Sequence, residues 1–450
     1  MTNAQYQSKK PARNLSYQPT NDLKPLARNA RTHSRKQIQQ IADSINRFGF
    51  NNPVLVDDGN QIVAGHGRVA AAKLLGMAEV PVVALSGMSA AERKAYALAD
   101  NKLALNAGWD VDLLALELQE LIDLDFEVEL TGFSLAEIDF TLEAANDGAQ
   151  LAASDEADTV PPRNDTPVTK AGDIWQLGKH LLLCGDARSD ADYCKLMAGL
   201  QAAMIFTDPP YNVPIDGHVS GLGNVKHREF AMAAGEMSVA QFTDFLSSTL
   251  TAMSKQCRSG TIIYVCMDWR HMRELLDAGE AANLELKNLC VWNKTNGGMG
   301  AFYRSKHELV FVFKHGDAPH VNSFGLGETG RYRTNVWDYA GISSISATRK
   351  EELEMHPTVK PVAMIADAIK DCSRRGEIIL DPFGGSGSTL IAAQQAGRIA
   401  RLIELDPLYC DTIVRRFEAY TGQQAVHTES GQSFEQRLDC SDLLLNAEVN

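Results

Sequence analysis

Asp208 opens the run Thr207-Asp208-Pro209-Pro210-Tyr211-Asn212, directly after the apolar residues Ala203-Met204-Ile205-Phe206. Such a run, closed by a Pro-Pro step, predicts a buried parallel strand that must stop there. The carboxylate is then delivered to a strand's C-terminal end, the edge at which open α/β sheets bind ligands. Two prolines fix a rigid turn, which can present an Asp, a carbonyl and an aromatic ring together. That trio suits a flat base bearing an amino group. The carboxylate and the carbonyl of Pro209 or Pro210 accept hydrogen bonds from the amine, and Tyr211 offers a stacking face. Taken alone, the run also reads as an ordinary Asp-Pro turn.

A second stretch narrows the reading. Ile378-Ile379-Leu380-Asp381-Pro382-Phe383-Gly384-Gly385-Ser386-Gly387-Ser388-Thr389 reads strand, glycine loop, helix. Glycines let backbone approach a ligand, and a helix N-terminus supplies free N–H groups. This stretch holds no G-x-G-x-x-G fingerprint and no Gly-Lys-Ser/Thr phosphate loop. The apolar run Ile399-Ala400-Arg401-Leu402-Ile403 then delivers Glu404, about twenty residues on, where an acid can meet ribose hydroxyls. The expected ligand is nucleoside-like.

Asp-Pro-Pro-Tyr together with Asp-Pro-Phe-Gly-Gly-Ser-Gly-Ser resembles the amino-methylating DNA methyltransferases that use S-adenosylmethionine. The turn precedes the loop, and His356-Pro357-Thr358-Val359-Lys360-Pro361 stands shortly before it, as in the permuted beta group of that family. The resemblance spans about Ala171 to Gly422. It implies a Rossmann-like α/β fold with a mostly parallel twisted sheet, and a catalytic turn of Asp208, Pro209, Pro210 and Tyr211. It further implies cofactor contacts from Asp381, Phe383, Gly384, Gly385, Ser386, Gly387, Ser388, Glu404, Lys360 and Asp186. Asp186 also reads locally as part of a helix cap, because Ser189 and Asp190 precede an apolar helix. The implied substrate is double-stranded DNA, methylated at adenine N6 after base flipping, with cytosine N4 as the alternative. Ring-carbon methylation would call for a Cys after a proline, and none of the eight cysteines follows one.

The formal charge of −14 looks wrong for a DNA-binding chain. Ala107–Val160 holds fifteen Asp or Glu and no Lys or Arg, so the remainder carries −14 + 15 = +1. The acidity is local. Scattered cysteines without a Cys-x-x-Cys pair argue for a reducing compartment and against zinc or a disulfide framework. No signal peptide and no run of membrane-spanning length is read, so the expectation is a cytoplasmic protein that needs no metal.

Length allows roughly three domains. Residues 1–22, polar and without apolar periodicity, read as a mobile arm. Residues 23–106, with Arg28, Arg31, His33, Gly65-His66-Gly67-Arg68 and Val80-Pro81-Val82-Val83, resemble a small α+β ParB-like domain, a family whose members bind a nucleotide or DNA. Gly65, His66, Gly67 and Arg68 form an anion site in outline, or else a tight strand-to-helix turn. His66 stands where that family usually has an acid, which weighs against nucleotide hydrolysis. Residues 107–146 read as an acidic helical extension, 147–168 as an extended linker, 169–425 as the methyltransferase domain and 426–450 as a tail. The basic loop around Lys294, and the His315–Met355 segment with Arg331, Arg333 and Trp337, are the expected DNA contacts; a plain surface loop is the other reading. A nicotinamide-dependent dehydrogenase would leave Asp-Pro-Pro-Tyr unexplained, and a ParB-like regulator with an inactive methylase is at odds with intact motifs. Whether the chain forms a homodimer or has a restriction partner is left open.

Overall fold

Residues 14–26, 29–124, 126–135, 137–142, 157–162, 166–213, 233, 235–294, 303–323, 333–341 and 359–439 are described by the computed structural model of the protein. They fall into two units, Met1–Ala145 and Asn146–Asn450.

In the first unit four short strands, β1 (Leu15–Pro19), β2 (Val54–Val56), β3 (Ile62–Ala64) and β4 (Glu79–Ala84), pair in the order β1-β4-β2-β3. Asp57 explains the β2–β3 turn: its Oδ1 accepts from the N–H groups of Gly59 and Gln61, both at 2.9 Å. Helix Arg35–Phe48 begins at Ser34, whose side chain accepts from the Gln37 N–H, and ends at Gly49 with φ 85°. The expected arm of residues 1–22 is too long, because Leu15–Pro19 pairs antiparallel with β4. Its mixed, mostly exposed residues concealed it, as an edge strand needs backbone partners more than an apolar pattern. The acidic extension is helical at Val111–Asp123 and keeps a small core of its own, Ala115, Leu118, Val128, Ile138 and Leu142.

The second unit is built on one ten-stranded sheet of β5 (Ile174–Leu177), β6 (His180–Cys184), β7 (Ala202–Thr207), β8 (Cys257–Met267), β9 (Leu284–Asn293), β10 (His307–His315), β11 (Val336–Asp338), β12 (Ile378–Asp381), β13 (Ile399–Glu404) and β14 (Val426–His427). Their order is β11-β9-β10-β8-β7-β12-β13-β6-β5-β14. The five central strands, from β8 to β6, are parallel. Antiparallel pairs β8–β10, β10–β9, β6–β5 and β5–β14 flank them. All six residues of β7 are buried. Met204 and Phe206 join one core and Ile205 the other, the alternation of a strand covered on both faces. Helices Val362–Cys372, Ser388–Gln395 and Pro407–Thr421 fill the first core, and Asp190–Met197, Val239–Ser254 and Met272–Ala281 the second.

Both predicted boundaries of this unit move outward. Ala157 is 2% exposed and its carbonyl accepts from Arg416 Nη2 at 2.6 Å, while Asp158 Oδ1 accepts from the Val362 N–H at 2.9 Å. Residues 157–162, read as linker, are therefore anchored to the sheet unit. A polar, proline-bearing composition says nothing about carbonyls that serve as hydrogen-bond acceptors for a distant side chain. At the other end, β14 pairs with β5, and Phe434 packs against Trp175 with ring centroids 5.5 Å apart, so the tail assigned from residue 426 starts too early. Asp158 satisfies an otherwise open N–H at the start of helix Val362–Cys372. Asp158→Ala is expected to lower the stability of this unit by about 0.5–2 kcal/mol in denaturant titration.

Candidate active site

Four parallel neighbours end at one edge of the sheet, and each delivers an acid there. Asp186 lies just past β6, Glu404 closes β13, Asp381 closes β12 and Asp208 follows β7. The Thr207 hydroxyl donates to Asp381 Oδ1 at 2.9 Å, tying the Pro-Pro turn to the glycine loop. The Phe383 N–H donates to the same oxygen at 3.1 Å. Burial still pushes the Asp381 carboxyl up to about 7, against the hydrogen bonds from Thr389, the Phe383 N–H and Thr207.

Glu404 faces the loop. Its Oε2 accepts from the Gly385 N–H at 2.8 Å and its Oε1 from the Asp406 N–H at 2.9 Å, yet burial pushes this carboxyl also up to about 7. A Cβ at Gly384 would press on Ile413 Cδ1 at 3.1 Å, and Gly387 sits at φ 84°, where a side chain is strained, so both positions favour glycine. From behind, the buried guanidinium of Arg416 donates through Nη1 to the Ser386 carbonyl at 2.9 Å and to the hydroxyls of Ser386 and Ser388, both at 3.2 Å. Asp186 is held by Arg188, Nε to Oδ1 at 3.0 Å and Nη2 to Oδ2 at 2.6 Å, which keeps its carboxyl below the usual range.

Asp208 sits in a web of charge. The Tyr211 hydroxyl donates to its Oδ1 at 2.5 Å and Lys360 Nζ to its Oδ2 at 2.5 Å. Lys360, 4% exposed, also lies 3.2 Å from Glu308 Oε2 and 5.4 Å from the centre of the Tyr211 ring. Lys294 pairs with the other oxygen of Glu308. Burial raises the Asp208 carboxyl, with Lys360 opposing and Glu308 reinforcing the shift. Burial pulls Glu308 upward as well, but Lys360 and Lys294 together hold it at about 2. A carboxylate has about four acceptor positions, so two donors leave Asp208 free to accept from an incoming amine.

The DNA methylase family matches residues 202–415, the ParB N-terminal domain residues 4–102, and the helix-turn-helix domain of ParB-methyltransferases residues 112–171. The chain carries a DNA methylase domain of the N6/N4 family and a ParB-like N-terminal domain. It is 25% identical over 228 residues to the type II methyltransferase M2.MboI of Moraxella bovis, covering 48% of this chain and 81% of that one. Its N-terminal part is 52% identical over 75 residues to the ParB-like nuclease domain-containing protein YnaK of Escherichia coli, 17% of this chain and 86% of that one. Among solved structures, the M1.HpyAVI–SAM complex is 20% identical with a TM-score of 0.39, covering 52% of this chain and 97% of that one.

Several residues of this methylase stand elsewhere than its sequence predicts. Lys360, expected at the cofactor, bridges Asp208 and Glu308 instead, because two buried carboxylates require a shared cation. Lys294, expected on DNA, is committed to Glu308 and lies over the Trp292 ring at 4.5 Å. Arg333 and Trp337, two further expected DNA contacts, are engaged within the chain. Arg333 pairs with Asp371 at 2.8 Å and Asp367 at 3.4 Å, and Trp337 is 4% exposed beneath it. Basic and aromatic composition does not distinguish a residue facing solvent from one that neutralises an acid on a neighbouring helix. Arg331, Arg28 and His356 lie outside the described residues. The hydroxyls of Ser386 and Ser388 turn to Arg416, and Asp186 caps no helix, since Ser189 does. In the ParB-like unit His66 Nε2 accepts from the Leu26 N–H at 3.2 Å, and Arg68 Nη2 donates to the Pro53 carbonyl at 3.2 Å. Glu308 and Arg416 escaped the sequence reading, each standing in an otherwise unremarkable strand or helix. Among the described residues no acid, His and Cys cluster suits a metal, and no helix is long and apolar enough to cross a membrane.

If Arg333 is structural, Arg333→Met takes a shared cation from Asp367 and Asp371. The expected result is a loss of about 3–5 kcal/mol in unfolding free energy, with the DNA affinity of the folded protein unchanged in a binding titration.

Proposed function

We propose that this chain methylates N6 of adenine in double-stranded DNA, with S-adenosylmethionine as methyl donor and the base flipped out of the duplex. The observation that carries this reading is the 2.9 Å hydrogen bond from Thr207 to Asp381, because it sets the Asp-Pro-Pro-Tyr turn beside the glycine loop. The loop residues suit the cofactor. Two carboxyls, Asp381 and Glu404, stay near 7 because burial outweighs the hydrogen bonds they accept, and a cationic sulfonium beside them would favour their charged forms while a ribose adds donors. Glu404 would hold the ribose, with the Gly384 to Gly387 backbone beside it and Asp186 at the adenine end.

The cofactor supplies an electrophilic methyl, so no metal and no covalent nucleophile are required. The chain's part is alignment. Tyr211 stacks on the flipped base and replaces lost stacking, while Asp208 and the Pro209 or Pro210 carbonyl accept hydrogen bonds from the amine and turn its lone pair toward the methyl. Adenine is favoured over cytosine because the turn opens with Asp, which in the family this chain resembles goes more often with adenine, and Ser with cytosine N4. The ParB-like unit adds affinity by tethering a second phosphate-binding surface, with Arg68 as its anion contact and DNA or a nucleotide as its ligand.

Mass spectrometry of DNA methylated by the purified protein is expected to show N6-methyladenine; N4-methylcytosine alone would refute the adenine assignment. Glu404→Ala is expected to weaken cofactor binding by about 1.5–3 kcal/mol in calorimetry, whereas Asp208→Ala binds cofactor normally and transfers no methyl. The reverse pattern would exchange the two sites.

A further inference from the structure

Lys360 is a single buried ammonium shared by two carboxylates. Its Nζ lies 2.5 Å from Asp208 Oδ2 and 3.2 Å from Glu308 Oε2. The Tyr211 hydroxyl spans the same two acids, at 2.5 Å and 3.4 Å. Glu308 is thus joined to Asp208 through two donors, and Lys294 holds it from the far side. Only the Asp208 end of this arrangement is explained by hydrogen bonding to a substrate amine.

We propose that Glu308 is a positioning residue for the transfer: by drawing part of the Lys360 ammonium to itself, it leaves Asp208 basic enough to take the proton that the amine must lose. The inference rests on the methyl-transfer reading above. In that reaction the amine nitrogen uses its lone pair to form the new N–CH3 bond. The methyl–sulfur bond breaks, and sulfur keeps the electron pair. The nitrogen then carries one proton too many and passes it to a carboxylate oxygen of Asp208.

A carboxylate facing an unshared ammonium is a poor proton acceptor, because an opposite charge within about 4–6 Å lowers its pKa by about 1–3 units. Here the ammonium is divided. The charged or titratable groups facing Asp208 can be taken element by element. Tyr211 comes from its own turn and Lys360 from the segment before helix Val362–Cys372. Glu308 comes from β10, with Lys294, just past β9, acting through it. Cys266 of β8 is kept neutral by burial and by the Asp208 charge, which also raises the Asp381 carboxyl of β12. Asp208 stands above its ordinary value in this setting, with burial the main cause and Glu308 opposing Lys360.

The test is the pH dependence of kcat for the full-length protein at saturating cofactor and DNA. Glu308→Gln is expected to move the acid limb to lower pH by about one unit or more and to lower the plateau about tenfold or more. Lys360→Met, which leaves the two acids without their cation, is expected to move the limb the opposite way. Glu308→Asp and Lys360→Arg should return the limb toward the wild-type position. Difference infrared titration of the wild type and each variant against its Asp208→Asn form reads the Asp208 carboxyl directly, and should shift in the same directions even where turnover is lost. Limbs that stay in place or move together, with an unaltered infrared titration, would overturn the proposal. A tenfold loss of cofactor affinity in Glu308→Gln with an unmoved limb would also overturn it, making Glu308 part of the cofactor pocket. If the wild type makes no methylated base, the methyl-transfer reading fails by itself, and the infrared titration still decides whether Glu308 tunes Asp208.

Discussion

The pairing of β7 with β12 is the constraint on which the second unit depends. Residues 174 apart in sequence, Thr207 and Asp381, become neighbours through it. Without that register the Pro-Pro turn and the glycine loop would be two unrelated features of one chain. A sheet requires its strands adjacent in space and not in sequence, which is why a permuted order of motifs still assembles one edge.

Polar burial at this edge follows a consistent logic. Each buried charge is shared among several partners. Lys360 serves two acids, Arg333 serves two acids and a tyrosine, and Arg416 serves two carbonyls and two hydroxyls. Sharing spreads the desolvation cost over hydrogen bonds that also fix geometry. At the glycine loop the logic is relaxed on the side facing outward. Asp381 and Glu404 hold carboxyls near 7 because burial outweighs the hydrogen bonds they accept and no cation is paired with them among the described residues. That pattern separates residues that build the edge from residues that wait for something else.

The central strands, the Asp208 turn, the glycine loop and Glu404 were legible in sequence. Apolar runs closed by Pro or Gly carry a local signal, and strand ends place the residues that follow. The charged network was not. Lys360 lies in a proline-flanked segment beside the loop, so chain proximity assigns it to the cofactor, although its partner Asp208 is 152 residues away. Glu308 looks like an ordinary strand-end acid, and Arg333 looks like an exposed base among aromatics. Such assignments fail for one reason. Composition records that a charge exists, and only the fold reveals which opposite charge it is buried against. The strand Leu15–Pro19 was missed for a related reason, since its partner, β4, lies sixty residues or more ahead.

The strand order also has a consequence for synthesis. In the finished sheet β12 and β13 fill the space between β7 and β6, yet they are the later of the five central strands to be made. A ribosome adding about 5–20 residues per second needs about 9–35 seconds to travel from Thr207 to Asp381. During that interval β7 can pair with β8 on one side while its other edge has no partner from its own chain. The nascent sheet has an open slot at its centre, and the last strands to emerge both close it and create the edge on which the glycine loop sits. Closing the sheet and completing the site are one event, so a chain released early would have an unpaired apolar strand beside half an active site.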